Sequence, residues 1–189
     1  MIRISISGTH CTGKTTFLEE LKKIEKDFIF IDGPTRQLKD QGFPINNNQS
    51  LNYDSTQLMC CYLDLENLKL KLQGHQVLIS DRCLLDTLVY TQFLYQEGKV
   101  TLPVFLLIKT LWELHQDRYD LIILPEKKDI SLVGDEYRNT DAFFREIIDS
   151  IFYEILKDSR ISYQTISGSN SDRIKEFQIK VKQYNETNN

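Results

Sequence analysis

The sequence predicts a three-layer α/β/α fold, in which helices cover both faces of a five-stranded parallel sheet. Five short apolar segments alternate along the chain with segments of helical periodicity, as expected for parallel strands joined by helices. The central segments, 77–80 and 121–124, are continuous apolar runs, which are typical of strands buried on both faces. No internal repeat or linker divides the 189 residues, so we expect one domain over residues 1–184 and a frayed tail over 185–189.

Three strands and two helices are predicted in the first half of the chain. The first strand has isoleucines that alternate with polar residues, and the other two are short apolar runs. In both helices, apolar residues recur every three or four positions. The strands cover residues 2–6, 28–31 and 77–80, and the helices cover residues 17–26 and 55–73.

The second half continues the alternation with two strands and four helices. A charged stretch without periodicity, residues 126–140, separates the fourth strand from the next helix. That helix carries an apolar stripe at Phe144, Ile148, Ile151 and Ile155. The strands cover residues 121–124 and 162–166, and the helices cover residues 84–95, 106–116, 144–155 and 173–184.

The composition is that of an ordinary globular protein, with 41% hydrophobic and 26% charged residues. The net charge of −4 disfavours nucleic acid as a partner, because proteins that coat nucleic acid usually carry a large basic surface. The longest apolar run, residues 104–108, is far shorter than the ~20 residues of a membrane helix. The N-terminus has the pattern of a strand and not of a signal peptide, so we expect a cytoplasmic protein without a membrane partner.

The four cysteines are Cys11, Cys60, Cys61 and Cys83, and no pair of them has C-x-x-C spacing. Structural zinc sites usually contain that spacing, and disulfide frameworks are typical of smaller secreted domains. We therefore expect free thiols in a reducing compartment and no zinc site.

A phosphate-binding motif follows the first predicted strand. Residues 8–15 match the pattern G-x-x-x-x-G-K-[ST] in full, and a predicted helix comes next. The glycines let the backbone curl so that successive N–H groups point at a phosphate, and the helix adds the positive end of its dipole. We expect Lys14 to reach the β- and γ-phosphates and the Thr15 hydroxyl to bind Mg²⁺. The residues assigned to this nucleotide-binding loop are Gly8, Cys11, Thr12, Gly13, Lys14, Thr15 and Thr16.

Other motifs separate the classes of P-loop protein. GTP-specific proteins usually carry D-x-x-G and N-K-x-D, and no Asp in this chain has a Gly three residues later. The nearest match to N-K-x-D is residues 126–129, where the first residue is Glu126. The chain is also too short for a helicase core. A small nucleotide- or nucleoside-kinase layout remains, in which the protein positions the substrates and neutralises charge.

The order of the remaining motifs resembles that of the P-loop kinases, which include the ribosylnicotinamide kinase domain, deoxynucleoside kinases and thymidylate kinase. It is more similar still to ATP-binding proteins of phages and bacteria that are named only as AAA-family ATPases. The resemblance spans nearly the whole chain. The residues that carry it are 8–16, 34–36, 42–46, Thr56, Gln57, Asp81, Arg82, Cys83, Asp86, Tyr90, Asp120, Asp135, Arg138, Asp141, Phe144, Arg145, Gly168 and Arg173.

The resemblance implies a P-loop NTPase fold with strand order 2-3-1-4-5 and a lid over about residues 126–145. It implies ATP and Mg²⁺ as cofactors and a small molecule as the phosphate acceptor, and it leaves a homodimer open. Asp81 would hold Mg²⁺ together with Thr15, or orient the acceptor. For Asp81, a salt bridge with Arg82 is the structural alternative.

Three arginines would neutralise the transferring phosphoryl group in this family pattern. Arg82 follows the third strand, and Arg138 and Arg145 belong to the predicted lid. Asp141 and Asp149 stand four residues before and after Arg145, so an ion pair on a helix surface is the structural alternative for that residue.

On the acceptor side, Arg36, Tyr53 and Gln57 are the candidate substrate contacts. Arg36 follows a proline turn, and the other two flank the start of the long helix that would wall the acceptor site. A loop-capping arginine and a buried tyrosine are the alternatives. Ser169 and Arg173 follow the last strand, where the loop of related kinases lies against adenine. For Arg173, an exposed helix charge is the alternative.

Two departures from the family pattern bear on activity. The family often has Glu three residues before the arginine that matches Arg36, and here that position is Gly33. Asp32 is the best remaining carboxylate for a general base, although neighbouring side chains along a strand point to opposite faces. The lid pattern Asp-Gly-x-Arg is here Asp135-Glu136-Tyr137-Arg138, which keeps the arginine and lacks the glycine.

These observations favour an ATP- and Mg²⁺-dependent kinase that acts on a nucleoside, a nucleotide or a nicotinamide-nucleoside-like acceptor. A second hypothesis is an ATP-binding switch or weak ATPase that acts through a protein partner, because a kinase without an acceptor base turns over slowly. A polynucleotide 5′-kinase is a third hypothesis, which the acidic composition disfavours. Dependence of ATP turnover on an acceptor distinguishes the first two.

Overall fold

A computed structural model describes residues 2–10, 12–43, 52–70, 76–126 and 142–188. It contains five strands and seven α-helices in those ranges. The strands are β1 (Ile2–Ile6), β2 (Ile29–Ile31), β3 (Val77–Asp81), β4 (Leu121–Pro125) and β5 (Tyr163–Ile166). The helices are α1 (Lys14–Ile24), α2 (Pro34–Asp40), α3 (Tyr53–Leu68), α4 (Leu84–Gln96), α5 (Leu102–His115), α6 (Ala142–Lys157) and α7 (Asn170–Asn188).

The five strands form one parallel sheet in the order β2-β3-β1-β4-β5. In the central strand, Ile4 is paired with Ile79 of β3 and with Leu121 of β4. The predicted fold class and strand order are therefore confirmed. Because the strands are parallel, the segments that follow β1, β2, β3 and β4 all emerge at the carboxyl edge of the sheet, where open α/β folds place their ligands.

Apolar side chains cover both faces of the sheet. On one face, α1 and α7 pack on the sheet, and on the other face α3, α4, α5 and α6 do so. The neighbouring residues Ile122 and Ile123 of β4 are both fully buried, and they belong to opposite clusters. This is why β4 reads as a continuous apolar run rather than as an alternating pattern.

The element boundaries differ from the sequence predictions at identifiable places. The helix α2 was not predicted, because its seven residues begin with a proline and contain a single buried apolar side chain after it, Leu38. The helix α5 starts at Leu102, since Pro103 is tolerated in the first turn of a helix. Pro125 is the last residue of β4, and α7 continues to Asn188, beyond the predicted end at Tyr184.

The described cysteines Cys60, Cys61 and Cys83 are buried and free. Burial raises the pKa of each of these thiols to about 12. In the described ranges, no group of three or more His, Cys, Asp or Glu side chains is arranged to hold a metal ion. None of the helices described above is long and apolar enough to cross a membrane.

Asp64 is a buried carboxyl group between α3 and α4, and its side chain accepts a hydrogen bond of 2.8 Å from the Thr87 hydroxyl. Burial raises the pKa of Asp64 from 3.8 to about 8. Between pH 4 and pH 8 the folded protein therefore holds a proton that the unfolded chain has released. Linkage then requires the free energy of unfolding to decrease as the pH rises through this interval.

We expect Asp64→Asn to remove this loss of stability, because the amide is neutral at every pH. The free energy of unfolding is measured with urea at pH 5 and at pH 8. The difference between variant and wild type should shift in favour of the variant by at least about 1 kcal/mol from pH 5 to pH 8, since one pKa unit corresponds to about 1.4 kcal/mol. Asp158→Asn makes the same change at an exposed position and serves as the control. A stability difference that is the same at both pH values would contradict the expectation.

Candidate active site

The loop between β1 and α1 has the backbone of an anion-binding site. Gly8 and Gly13 both have positive φ angles, 118° and 79°, in the region that favours glycine. Among the described residues, no side chain hydrogen-bonds the N-terminus of α1, and its first turn contains no acidic residue. The free N–H groups and the positive end of the helix dipole therefore fit a phosphate group.

Lys14 lies inside this loop and is only 6% exposed. Its ammonium group donates hydrogen bonds to the Gly8 carbonyl oxygen (2.8 Å), the Thr12 hydroxyl (3.1 Å) and the Thr9 carbonyl oxygen. Burial lowers the pKa of Lys14 to about 7, and the positive charge of Arg82 acts in the same direction. The loop oxygens thus hold the Lys14 amine inside the loop, and its contact with phosphate stays a prediction.

The threonines of the loop differ in their surroundings. Thr12 is buried, and its hydroxyl lies 3.2 Å from the carbonyl oxygen of Thr9. Thr15 is half-buried and Thr16 is exposed. The assignment of Thr15 to Mg²⁺ stays a prediction, and Cys11 lies outside the described residues.

Arg173 supports the loop from the opposite side. It is 2% exposed, and it donates hydrogen bonds to the backbone carbonyl oxygens of Thr12 (2.7 Å) and Glu126 (2.6 Å). The alternative of an exposed helix charge is therefore wrong. The guanidinium ties the phosphate loop to the end of β4, which favours a supporting role over stacking on adenine.

Ser169 caps the last helix. Its hydroxyl lies 2.6 Å from the Asp172 carboxylate and 3.3 Å from the Asp172 backbone nitrogen, at the N-terminus of α7. This reciprocal arrangement is a common helix-capping pattern. The predicted contact of Ser169 with a nucleotide stays a prediction.

Charged side chains gather where β2 and β3 end. Arg36, on α2, lies between two carboxylates, with Asp32 at 3.4 Å and Asp81 at 3.8 Å. Lys22 of α1 also lies 3.3 Å from Asp32. Asp81 is therefore paired with Arg36, and its suggested salt bridge with Arg82 is not among the ion pairs that the structure records.

The position of Asp32 does not follow strand alternation, because β2 ends one residue earlier, at Ile31. Asp32 lies in the turn before α2, with its carboxylate on the Arg36 side and 45% of its side chain exposed. It therefore reaches the same arginine as Asp81. Whether it acts as a general base stays a prediction.

Gly33 is required by a close approach between two backbone segments. A β-carbon at this position would lie 2.3 Å from the carbonyl oxygen of Asp81, and Gly33 itself has an ordinary φ of −63°. No side chain fits in this conformation. The carboxylate that the family pattern often has here could not be accommodated by this backbone.

Arg82 has an unusual conformation for a residue with a side chain. Its φ angle is 77°, a region that costs an L-residue about 1–2 kcal/mol. Its backbone N–H donates a hydrogen bond to Ile6, and its guanidinium lies 5.3 Å from the centre of the Tyr90 ring and 3.7 Å from Asp86. Strained residues of this kind cluster at functional sites.

Asp86 and Tyr90 have contacts that sequence reasoning did not assign. Both lie on α4, four and eight residues after Arg82, and this spacing places them on one helix face. The spacing of Asp86 and Tyr90 was the signal in the sequence that could have indicated a shared role. It could not show that the Asp86 carboxylate also accepts a hydrogen bond of 3.2 Å from the backbone N–H of Gly8 in the phosphate loop.

The start of α6 lies against the phosphate loop. The Phe144 ring is 5.1 Å from the ring of His10 and 4.8 Å from that of Phe93. The next residue, Arg145, is 7% exposed. Arg138 and most of the predicted lid lie outside the described residues.

The candidate acceptor residues on α3 have different exposure. Tyr53, at the first position of the helix, is 37% exposed, so the alternative of a buried tyrosine is wrong. The Gln57 side chain is 9% exposed and lies 3.0 Å from the Thr91 hydroxyl on α4. Thr91 thereby restrains the amide of Gln57.

Comparison with known proteins identifies a family and solved structures with a similar fold. A family model described as an AAA domain matches residues 3–173. The structure of deoxyadenosine kinase from M. mycoides, with products dCMP and a flexible dCDP bound, is similar over 96% of this chain and 99% of that chain. The TM-score is 0.64 and the sequence identity is 16%, so this similarity concerns the fold. No curated protein sequence matches the chain.

Proposed function

The chain belongs to the AAA domain family, and from that membership and the geometry of its phosphate loop we propose that it is an ATP-dependent kinase. The proposed acceptor is a nucleoside, a nucleotide or a nicotinamide-nucleoside-like small molecule. One observation carries the proposal: the buried carboxylate Asp86 lies 3.7 Å from Arg82 and accepts from the N–H of Gly8, whose carbonyl oxygen accepts from Lys14. Two cations held this way suit the charge that develops during phosphoryl transfer.

The donor side is proposed to work through the loop backbone and Lys14. The N–H groups at the start of α1 would bind the β-phosphate, and Lys14 would contact the β- and γ-phosphates. Thr15 and Asp81 would hold Mg²⁺, an ion that takes oxygen ligands and usually keeps several waters. When bound, Mg²⁺ neutralises charge on the phosphate oxygens.

Arginines are proposed to stabilise the transferring group. The strain at Arg82 supports this role, because the fold holds the residue in a conformation that local energetics disfavours. Arg145 is buried and directly follows Phe144, whose ring contacts that of His10 in the loop, and its Nε has no hydrogen-bond partner in the part of the chain that the structure describes. Arg138 remains the third candidate.

The acceptor is proposed to bind between α2, α3 and the end of β3. Arg36 can contact a phosphate or hydroxyl of the acceptor, while Gln57 and the exposed ring of Tyr53 can contact its base. A structure with the same fold belongs to an enzyme named deoxyadenosine kinase, which supports a nucleoside-type acceptor.

Asp32 is proposed as the general base, and Asp32→Asn tests this role. A positioned base contributes about 10²–10⁴-fold to the rate, so kcat for acceptor phosphorylation should fall at least about 10²-fold while Kd for ATP changes little. Asp27→Asn, at an exposed position just before β2, is the matched control. An unchanged kcat would remove Asp32 from the mechanism.

The alternative of an ATP-binding switch is supported by Gly33. The backbone excludes a carboxylate at this position, and a weak base would make phosphorylation slow. A switch would hydrolyse ATP at a slow rate that no acceptor increases.

The deciding experiment measures ADP release from Mg-ATP against a panel of acceptors. The panel contains nucleosides, deoxynucleosides, their monophosphates, nicotinamide riboside and a 5′-hydroxyl oligonucleotide. We expect one class to raise ADP release and to gain the mass of one phosphate. A slow rate that is the same with every acceptor would overturn the kinase proposal and favour the switch.

A further inference from the structure

Asp86 is a buried carboxylate that contacts both sides of the candidate site. It is 2% exposed and lies in the first turn of α4. One of its oxygens, Oδ1, lies 3.2 Å from the backbone nitrogen of Gly8 and 3.7 Å from Arg82. The other, Oδ2, accepts a hydrogen bond of 3.1 Å from the backbone N–H of Cys83. A single side chain thus joins the phosphate loop, the arginine after β3 and the start of α4.

The contact with Gly8 continues to the loop lysine. The N–H of Gly8 points to Asp86, and the carbonyl oxygen of the same residue accepts a hydrogen bond from Lys14. Asp86 therefore contacts Arg82 directly, and it is linked to Lys14 through the backbone of Gly8. The negative charge lies between two cations that would otherwise repel each other.

Arg82 depends on its neighbours for its orientation. Its φ of 77° is unfavourable, so tertiary contacts must hold the residue in place. Its side chain forms an ion pair with Asp86, lies over the Tyr90 ring with a hydrogen bond to that residue, and also feels the negative charge of Asp81. Tyr90 restrains the guanidinium from one side, and Asp86 provides the charged partner.

We propose that Asp86 is a positioning residue that fixes Arg82 relative to the phosphate loop, so that Arg82 and Lys14 face the same phosphoryl group. The inference rests on the proposed function for the role of Arg82. It adds a residue that touches neither ATP nor the acceptor. Asp86 acts through Arg82, and its effect should appear in turnover more than in nucleotide affinity.

Asp86→Asn separates charge from shape. The amide keeps the side-chain volume and an oxygen that can accept from Gly8, and it loses the charge that holds Arg82 and the second oxygen, which accepts from Cys83. We expect kcat to fall at least tenfold, while Kd for ATP measured by calorimetry changes by less than about threefold. The rate is divided by the number of nucleotide-binding sites in the calorimetric titration, so that a partly unfolded preparation does not mimic the effect.

A double-mutant cycle with Arg82→Met shows whether Asp86 acts through Arg82. Methionine keeps an unbranched apolar stem and removes the guanidinium with its charge. In the Arg82→Met protein, Asp86→Asn should lower kcat less than twofold further. Additive losses in the cycle would overturn the proposal and leave Asp86 with a structural role only.

Asp64→Asn is the matched control, because Asp64 is equally buried between α3 and α4 and accepts from Thr87. It should leave kcat within twofold of the wild type. The proposed function is tested separately, by whether an acceptor raises ADP release by the wild-type protein. If no acceptor raises ADP release, the same cycle is measured on basal ATP hydrolysis, and additivity there also overturns the inference.

Discussion

Replacing Lys14 with alanine is expected to lower acceptor-dependent ADP release at least about 10²-fold. The ammonium group is held inside the loop by the carbonyl oxygens of Gly8 and Thr9, so the loop itself fixes its position. Removing one preorganised charge donor from a reaction of this kind typically costs about 10²–10³-fold in rate. No other amine can replace the one that is lost, because Lys14 is the only lysine among the buried residues that the structure describes.

The folded state should survive this change. Burial lowers the pKa of Lys14 to about 7, so a charged amine at this place is itself unfavourable. Its loss offsets part of the cost of the three lost hydrogen bonds. Lys23→Ala, at an exposed position on the same helix, is the control and should keep full activity. Thermal unfolding checks the fold, and retained ADP release in the Lys14 variant would exclude the loop from the reaction.

Gly33→Ala is expected to reduce both stability and turnover. A β-carbon would lie 2.3 Å from the carbonyl oxygen of Asp81, so the turn after β2 and the end of β3 must move apart. Overpacking of this kind costs about 1–3 kcal/mol. Asp81 and Arg82 belong to the displaced segment, and a shift of about 1 Å at a reacting site can lower the rate about 10²-fold.

Gly98→Ala distinguishes this steric effect from a general cost of replacing glycine. Gly98 has a φ of 68°, and a β-carbon there would meet nothing within 4 Å. The control should lose about 1 kcal/mol through backbone strain and keep its turnover. Denaturant unfolding and ADP release are measured on both variants. Equal losses in the two would show that contact with Asp81 is not the cause.

The sheet and the phosphate loop were predictable because their signals are local. The isoleucines of β1 alternate, β3 and β4 are short apolar runs, and the loop motif occupies eight consecutive residues. The helix α2 was not predictable in this way. Its sequence begins with Pro34, which reads equally well as a turn, and tertiary packing of Leu38 decides the outcome.

The candidate site was predictable as a set of residues but not as a set of partners. A salt bridge between Asp81 and Arg82 was the structural alternative for Asp81, whereas the recorded partners of these two residues are Arg36 and Asp86. The hydrogen bond between Gly8 and Asp86 joins residues 78 positions apart, and no local pattern encodes it. The role of Gly33 likewise depends on a backbone that approaches from another strand.

The contact of Arg173 with Thr12 links the nucleotide loop to the last helix across 161 positions of sequence. During synthesis, the loop leaves the ribosome long before α7 does, and so it lacks this support while the rest of the domain is being made. Contacts of such long range form late and slow the folding of a domain. The loop therefore has all of its restraints only after α7 has docked. Nucleotide binding by the loop then depends on the folding of the whole domain.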